Sequence, residues 1–208
     1  MLKPLLLTLL DIGLSCFIIT PLVVTFWATV WEFIFRYPDW FPLWWTLGVS
    51  WALQIAVTLL RDILYEIHVK IRGWHFKIVS RLYIYLYCLV GLTGWRALWF
   101  LMEKYFDLRH TAVGLAVCLV PFVVISGSVN NLLALPYSVG VDHDRTSLYK
   151  YNTVFNVEST QNLGWYLLDC VFSVCVVGTL VVSVWRGHWS LLRSTSTRVN
   201  RPNLPSRR

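Results

Sequence analysis

Charge is what this sequence has least of. Asp, Glu, Lys and Arg make up 14% of its 208 residues, against about 25% in soluble globular chains. Catalytic signatures are missing as well. None of the five His falls in a His-Glu-x-x-His or zinc spacing, no Gly-rich phosphate loop is present, and no nucleophile sits beside a base. These absences exclude the familiar hydrolase, zinc and nucleotide-binding classes, and the chain reads as a non-enzyme with no cofactor and no metal. Cysteine is scarce too: Cys16, Cys88, Cys118, Cys170 and Cys175 all lie in apolar stretches. They read as small buried hydrophobes, not as a disulfide framework. No Asn-x-Ser/Thr sequon marks an outside loop.

What the chain does have is apolar surface. Hydrophobic residues are 57% of it, the mean hydropathy is +0.58, and there are 12 Trp, 10 Tyr and 11 Phe. So much apolar surface cannot be hidden in a core of this size, so a bilayer covers part of it. That excludes a soluble enzyme, a nucleic-acid binder and a disordered chain. The formal charge of +7 fits basic residues flanking apolar runs, where they meet anionic headgroups and set topology.

The expected fold class is all-α, a polytopic transmembrane helical bundle over residues 1–190. Its spans fall near 5–35, 41–60, 82–102, 111–129 and 164–185, and a basic, disordered tail occupies 191–208. About 20 apolar residues cross a bilayer, and both Ile12–Trp31 and Phe41–Leu60 are uncharged over that length. Run one is too long for a cleaved signal and reads as an anchor. Pro21 and Pro121 predict kinks. Run two continues into Arg61–Arg72, where Ile63, Leu64, Ile67 and Ile71 share one face, and Gly73 ends it. That amphipathic extension should lie at headgroup level or pack on another helix. With five crossings, eight basic residues fall on one side and nine on the other, so the positive-inside rule does not decide orientation. Six arginines in the last 23 residues favour a cytosolic C-terminus.

The sequence also repeats itself. Leu9-Leu10-Asp11 precedes Trp27 by the same sixteen residues, counted from the acid, that separate Leu167-Leu168-Asp169 from Trp185. In both, a second Trp follows four residues later, at Trp31 and Trp189. A middle copy, Trp95-Arg96-Ala97-Leu98-Trp99, has the Trp pair without the acid. The pairs close runs one, three and five, which point the same way, so all should meet one membrane face. This describes a two-span unit whose last copy stops after one span, as in a shortened form of a longer protein. Trp residues four apart share a helix face, and indole N–H groups seek the wet interface. The neighbouring Arg can snorkel to a phosphate or stack on a ring. Trp27, Trp31, Trp95, Arg96, Trp99, Trp185, Arg186 and Trp189 are therefore either interface anchors or a contact site for a partner or lipid.

Asp11 and Asp169 are the intramembrane acids. They are either helix-start residues at headgroup depth or a coupling site for protons or cations. Glu32 and Arg36, four apart, should pair. Asp142-His143-Asp144 reads as a solvated loop, because three adjacent residues cannot close a metal site. Ser194–Thr197, among tail arginines, could take phosphate and loosen attraction to anionic lipid.

Three of these segments together resemble the fuseless family of multipass proteins. They are Trp95-Arg96-x-x-Trp99, Trp185-Arg186-Gly187-His188-Trp189, and the stretch from Ser128 through Asn130-Asn131 to Ala134-Leu135-Pro136 and on to Asp142-His143-Asp144. The resemblance covers the third span to the start of the tail well, and the first two spans loosely. It implies a presynaptic plasma-membrane protein needed for the organisation of voltage-gated calcium channels and for transmitter release. It supplies no catalytic residues. The resemblance implies longer members, with more spans. Three functions follow for testing: organiser or trafficking factor for a membrane partner, a channel or transporter using Asp11 and Asp169, or a small subunit that handles lipid. The implied partners are the lipid bilayer and a membrane protein, a calcium channel by resemblance.

Overall fold

The computed structural model describes residues 2–71, 73–106, 113–127, 153–158 and 162–199. Every regular element among them is helical. Helix α1 runs through Leu2–Leu14, a π-helical turn at Ser15–Ile19, and Thr20–Arg36. Helix α2 is Leu43–Leu59 and α3 is Arg61–Lys70; α4 is Trp74–Tyr105. Helix α5 covers Gly114–Cys118, again π-helical, and Val120–Ile125. Helix α6 joins Leu163–Val171, the π-helical Phe172–Val177 and Gly178–Val199.

Among the described residues, three helices are long and apolar enough to cross a bilayer: Leu5–Arg36, Trp74–Tyr105 and Leu163–Arg193. A fourth crossing follows if the bent pair α2 and α3 is one span. The expected fourth run is only a short apolar helix, Gly114–Ile125, about 18 Å at 1.5 Å per residue and too short over its described length to cross. The amphipathic extension of run two forms as a helix, but it turns away by 63° at Leu60. Bending frees backbone carbonyls at the end of α2, and the Tyr166 hydroxyl from α6 donates to two of them, Thr58 O at 3.1 Å and Leu59 O at 3.3 Å. Ile63 and Ile67 on α3 point outward while His68 is buried against Phe76. Gly73, at φ 69, begins the turn into α4 in a conformation that favours glycine.

Pro21 does not break α1. It lacks the N–H that would reach the carbonyl four residues back, and the helix widens into a π turn just before it. Thr20 donates both its N–H and, at 2.7 Å, its hydroxyl to Ser15 O. The tail expected to be disordered from residue 191 is helical through Val199, because α6 carries its hydrogen-bond ladder past the last apolar residues of the span.

The core lies where α2, α4 and α6 meet. Leu47, Ala97, Leu98, Leu101, Met102 and Val182 are buried together, with Leu43, Trp51, Trp95 and Trp99 packed around them. Small residues let the helices approach. A Cβ on Gly94 would lie 2.6 Å from Ser50 Oγ, and Ser50 itself donates to the Val90 carbonyl across the α2–α4 seam. Residues 5–33 of α1 are different: only Ser15 among them is buried, so one flank of this helix is left uncovered by the described residues.

Candidate functional site

Five of the six Trp residues in the three pairs converge. Trp27 packs on Trp95 with ring centroids 5.6 Å apart, and Trp95 packs on Trp185 at 6.5 Å. One turn further on, Trp31 meets Trp99 edge-to-face at 5.7 Å and Phe100 at 5.9 Å. Spacing of four places each pair on one stripe of its helix, and helices α1, α4 and α6 bring those stripes together at one end of the bundle. Aromatic contacts of this geometry contribute about 0.5–1.5 kcal/mol each beyond the area they bury.

The arginines are drawn inside this layer. Arg96 and Arg186 are each only 5% exposed. The Arg186 guanidinium lies 4.6 Å from the Trp99 ring centroid and 3.2 Å from Glu103 Oε1 on α4. It therefore ties α6 to α4 by a cation–π contact and an ion pair at once. Arg96 lies 4.6 Å from the Phe100 centroid, and no hydrogen bond or ion pair reaches it among the described residues. The Nε of each arginine is buried and has no hydrogen-bond partner among the described residues.

The third position of the Trp-Arg-x-x-Trp motif has its own reason to be small. Gly187 faces α5, where an added Cβ would meet Leu115 C and Leu115 Cβ at 2.8 Å, and the Ala116 backbone N closer still. The corresponding residue on α4, Ala97, is 1% exposed in the core. Trp189 stands apart from the layer, more than half exposed, and His188 Nδ1 lies 2.8 Å from Val184 O.

The two acids part company. Asp169 is fully buried at the start of α6 and accepts four hydrogen bonds. These come from Thr153 Oγ1 at 2.6 Å, Phe155 N and Val157 N at 3.1 Å, and Ser173 Oγ at 3.3 Å. The carboxylate thus anchors the segment 153–157 on α6, and Ser173 extends the hold by accepting from Val154 N at 3.0 Å. Asp11, sixteen residues before Trp27 just as Asp169 is before Trp185, lies on the exposed flank of α1. The two acids share a register but not an environment. Segment 153–157 is the element that sequence reasoning missed, and its alternating hydroxyl and backbone donors carry no sequence motif.

Glu32 and Arg36 pair as their spacing demands, Nε to Oε1 at 2.9 Å on an exposed face. The four cysteines with described side chains, Cys16, Cys88, Cys170 and Cys175, are free thiols. Asp142, His143 and Asp144 lie outside the described residues, as do the Asn130-Asn131 segment and Pro136.

Neither the curated proteins nor the solved structures contain a match to this chain. A family model described as Fuseless does match, over residues 6–198. That range takes in the first two runs, the Trp27/Trp31 pair and Asp11, together with both Trp-Arg motifs and Asp169. The chain belongs to the fuseless family.

Proposed function

We propose that this chain is a non-enzymatic multipass membrane protein that organises or traffics a membrane partner, a presynaptic voltage-gated calcium channel by the family it belongs to. Family membership over residues 6–198 carries this reading. The uncovered flank of α1 supports it: Leu5, Leu6, Leu9, Phe17 and Leu22 are all more than half exposed. An apolar helix face of this kind packs laterally against lipid or against another membrane helix. The Trp and Arg layer would fix how α1 stands on α4, and so how that flank is presented. Location in the presynaptic plasma membrane belongs to the same proposal.

Affinity purification of the tagged protein from its native membrane tests it. A calcium-channel subunit should come along, and less of it when Trp189, exposed at the end of the layer, is replaced by Ala. Absence of any channel subunit from a sample that holds intact, membrane-extracted protein would refute the partner.

The alternative, a channel or transporter using Asp11 and Asp169, makes a harder demand of Asp169. To take up a proton or cation it must give up donors that now satisfy it, and buried donors left unpaired cost about 1–3 kcal/mol each. Flux through liposomes carrying the purified protein, abolished by Asp169→Asn, would favour that reading over ours.

A further inference from the structure

Two cations are buried in the Trp layer, and one carboxylate answers them. Glu103 pairs with Arg186 and is itself about half exposed, with 46% of its side chain in contact with solvent. Among the described residues, Arg96 has only the face of Phe100. The rings near it cannot supply what its guanidinium lacks, because a Trp indole donates only and Phe has no hydrogen-bonding group. A cation–π contact satisfies the charge in part but leaves the N–H donors unmade. A guanidinium nine-tenths buried with its donors unmet is unfavourable unless an anion completes it.

Position says which anion. Arg96 lies six residues before Met102, where the apolar run of α4 ends, about 9 Å along the helix. Its neighbour Trp95 packs on Trp185, the residue at which the apolar run of α6 ends. The end of the apolar run on α6 thus puts the guanidinium near the level where hydrocarbon gives way to headgroups, and the run on α4 puts it about 9 Å inside that level, a depth from which a long side chain can meet a phosphodiester. Planar, forked donors match phosphate oxygens in pairs. Trp31, Trp99 and Phe100 form the apolar wall against which an acyl chain or glycerol would lie.

We propose that Arg96 binds the phosphate group of an anionic membrane lipid, held between α1 and α4 at the Trp layer. This inference rests on the membrane reading and is independent of the calcium-channel partner. Arg186 would contribute long-range attraction while keeping its ion pair with Glu103.

Lipid retained through purification in a neutral detergent, identified by native mass spectrometry, provides the test. Wild-type protein should carry anionic phospholipid, and Arg96→Gln should lower its occupancy about tenfold or more, the loss expected for a charge-assisted pair of hydrogen bonds. Arg96→Lys should keep part of it. Glu103→Gln removes the carboxylate that pairs with Arg186 and should raise occupancy, a gain that a misfolded variant could not show. Arg36→Gln, an exposed arginine at the same end, should change nothing. Equal lipid retention by wild type and Arg96→Gln, both monodisperse and helical, would overturn the proposal. Full displacement of the bound lipid by inorganic phosphate would assign the site to a free anion and overturn the lipid. An Arg96-dependent protein partner with no bound lipid would overturn it in favour of an acidic side chain. Loss of lipid from Arg96→Gln with normal membrane insertion and normal partner recovery would leave the proposed function untouched.

Discussion

Gly187→Ala is the sharpest test of the packing described above, because the structure supplies its own control on the same helix. At Gly187 the new methyl group would lie 2.8 Å from Leu115 C and closer to the Ala116 backbone N. These are backbone atoms, so no rotamer change relieves the overlap and α5 must move bodily. Over-packing of that kind costs about 2–3 kcal/mol, while replacing Gly by Ala in a helix returns about 1 kcal/mol. A net loss of about 1–2 kcal/mol follows. At Gly178, nine residues earlier in α6, nothing lies within 4 Å of the added Cβ, so Gly178→Ala collects the helix gain alone, about 1 kcal/mol. The two variants should then differ by about 2–3 kcal/mol, which for a chain of this size separates their melting temperatures by about 4–12 °C. Thermal unfolding in detergent, followed by the intrinsic fluorescence of the 12 Trp, measures the difference directly. Coincident melting curves would refute the close approach of α5 to α6, and with it the account of why the motif needs a small third residue.

Asp169→Ala leaves the Phe155 and Val157 amides without their acceptor, and hydrogen exchange at those two amides should accelerate about 10- to 100-fold, with α4 amides unchanged. Tyr166→Phe removes the hydroxyl that serves Thr58 O and Leu59 O. It should cost about 1 kcal/mol, read as a lower melting temperature and as a changed distance between spin labels on α2 and α3. A double-mutant cycle on Trp31 and Trp99 should give a coupling of about 0.5–1.5 kcal/mol in unfolding free energy; additive losses would show that the rings do not touch.

Much of this architecture is written in local pattern. Uncharged runs as long as Ile12–Trp31 locate helices with little ambiguity, and a Trp spacing of four fixes which stripe of each helix the rings occupy. What local pattern does not carry is how a helix meets its neighbours. The 63° turn at Leu60 depends on Tyr166, more than 100 residues away in the chain. Asp11 and Asp169 look alike because their flanking sequences match, yet only Asp169 has segment 153–157 laid against it. Arg96 and Arg186 carry the composition of snorkelling residues. Their burial follows from three helices closing over them, which no window on one helix contains.

The π-helical turns of α1 and α6 have a geometric effect that reaches well beyond their own few residues. Each ends eight residues before the first Trp of its pair, at Ile19 and at Val177. Such a turn takes in one residue more than the α-helical ladder needs, so everything after it is carried round the axis by about 100°, one residue's share of a turn. Without that phase shift Trp27 and Trp31 would look past α4, and Trp185 would face away from Trp95. The widened turns are the angular offset that aims α1 and α6 at the Trp stripe of α4.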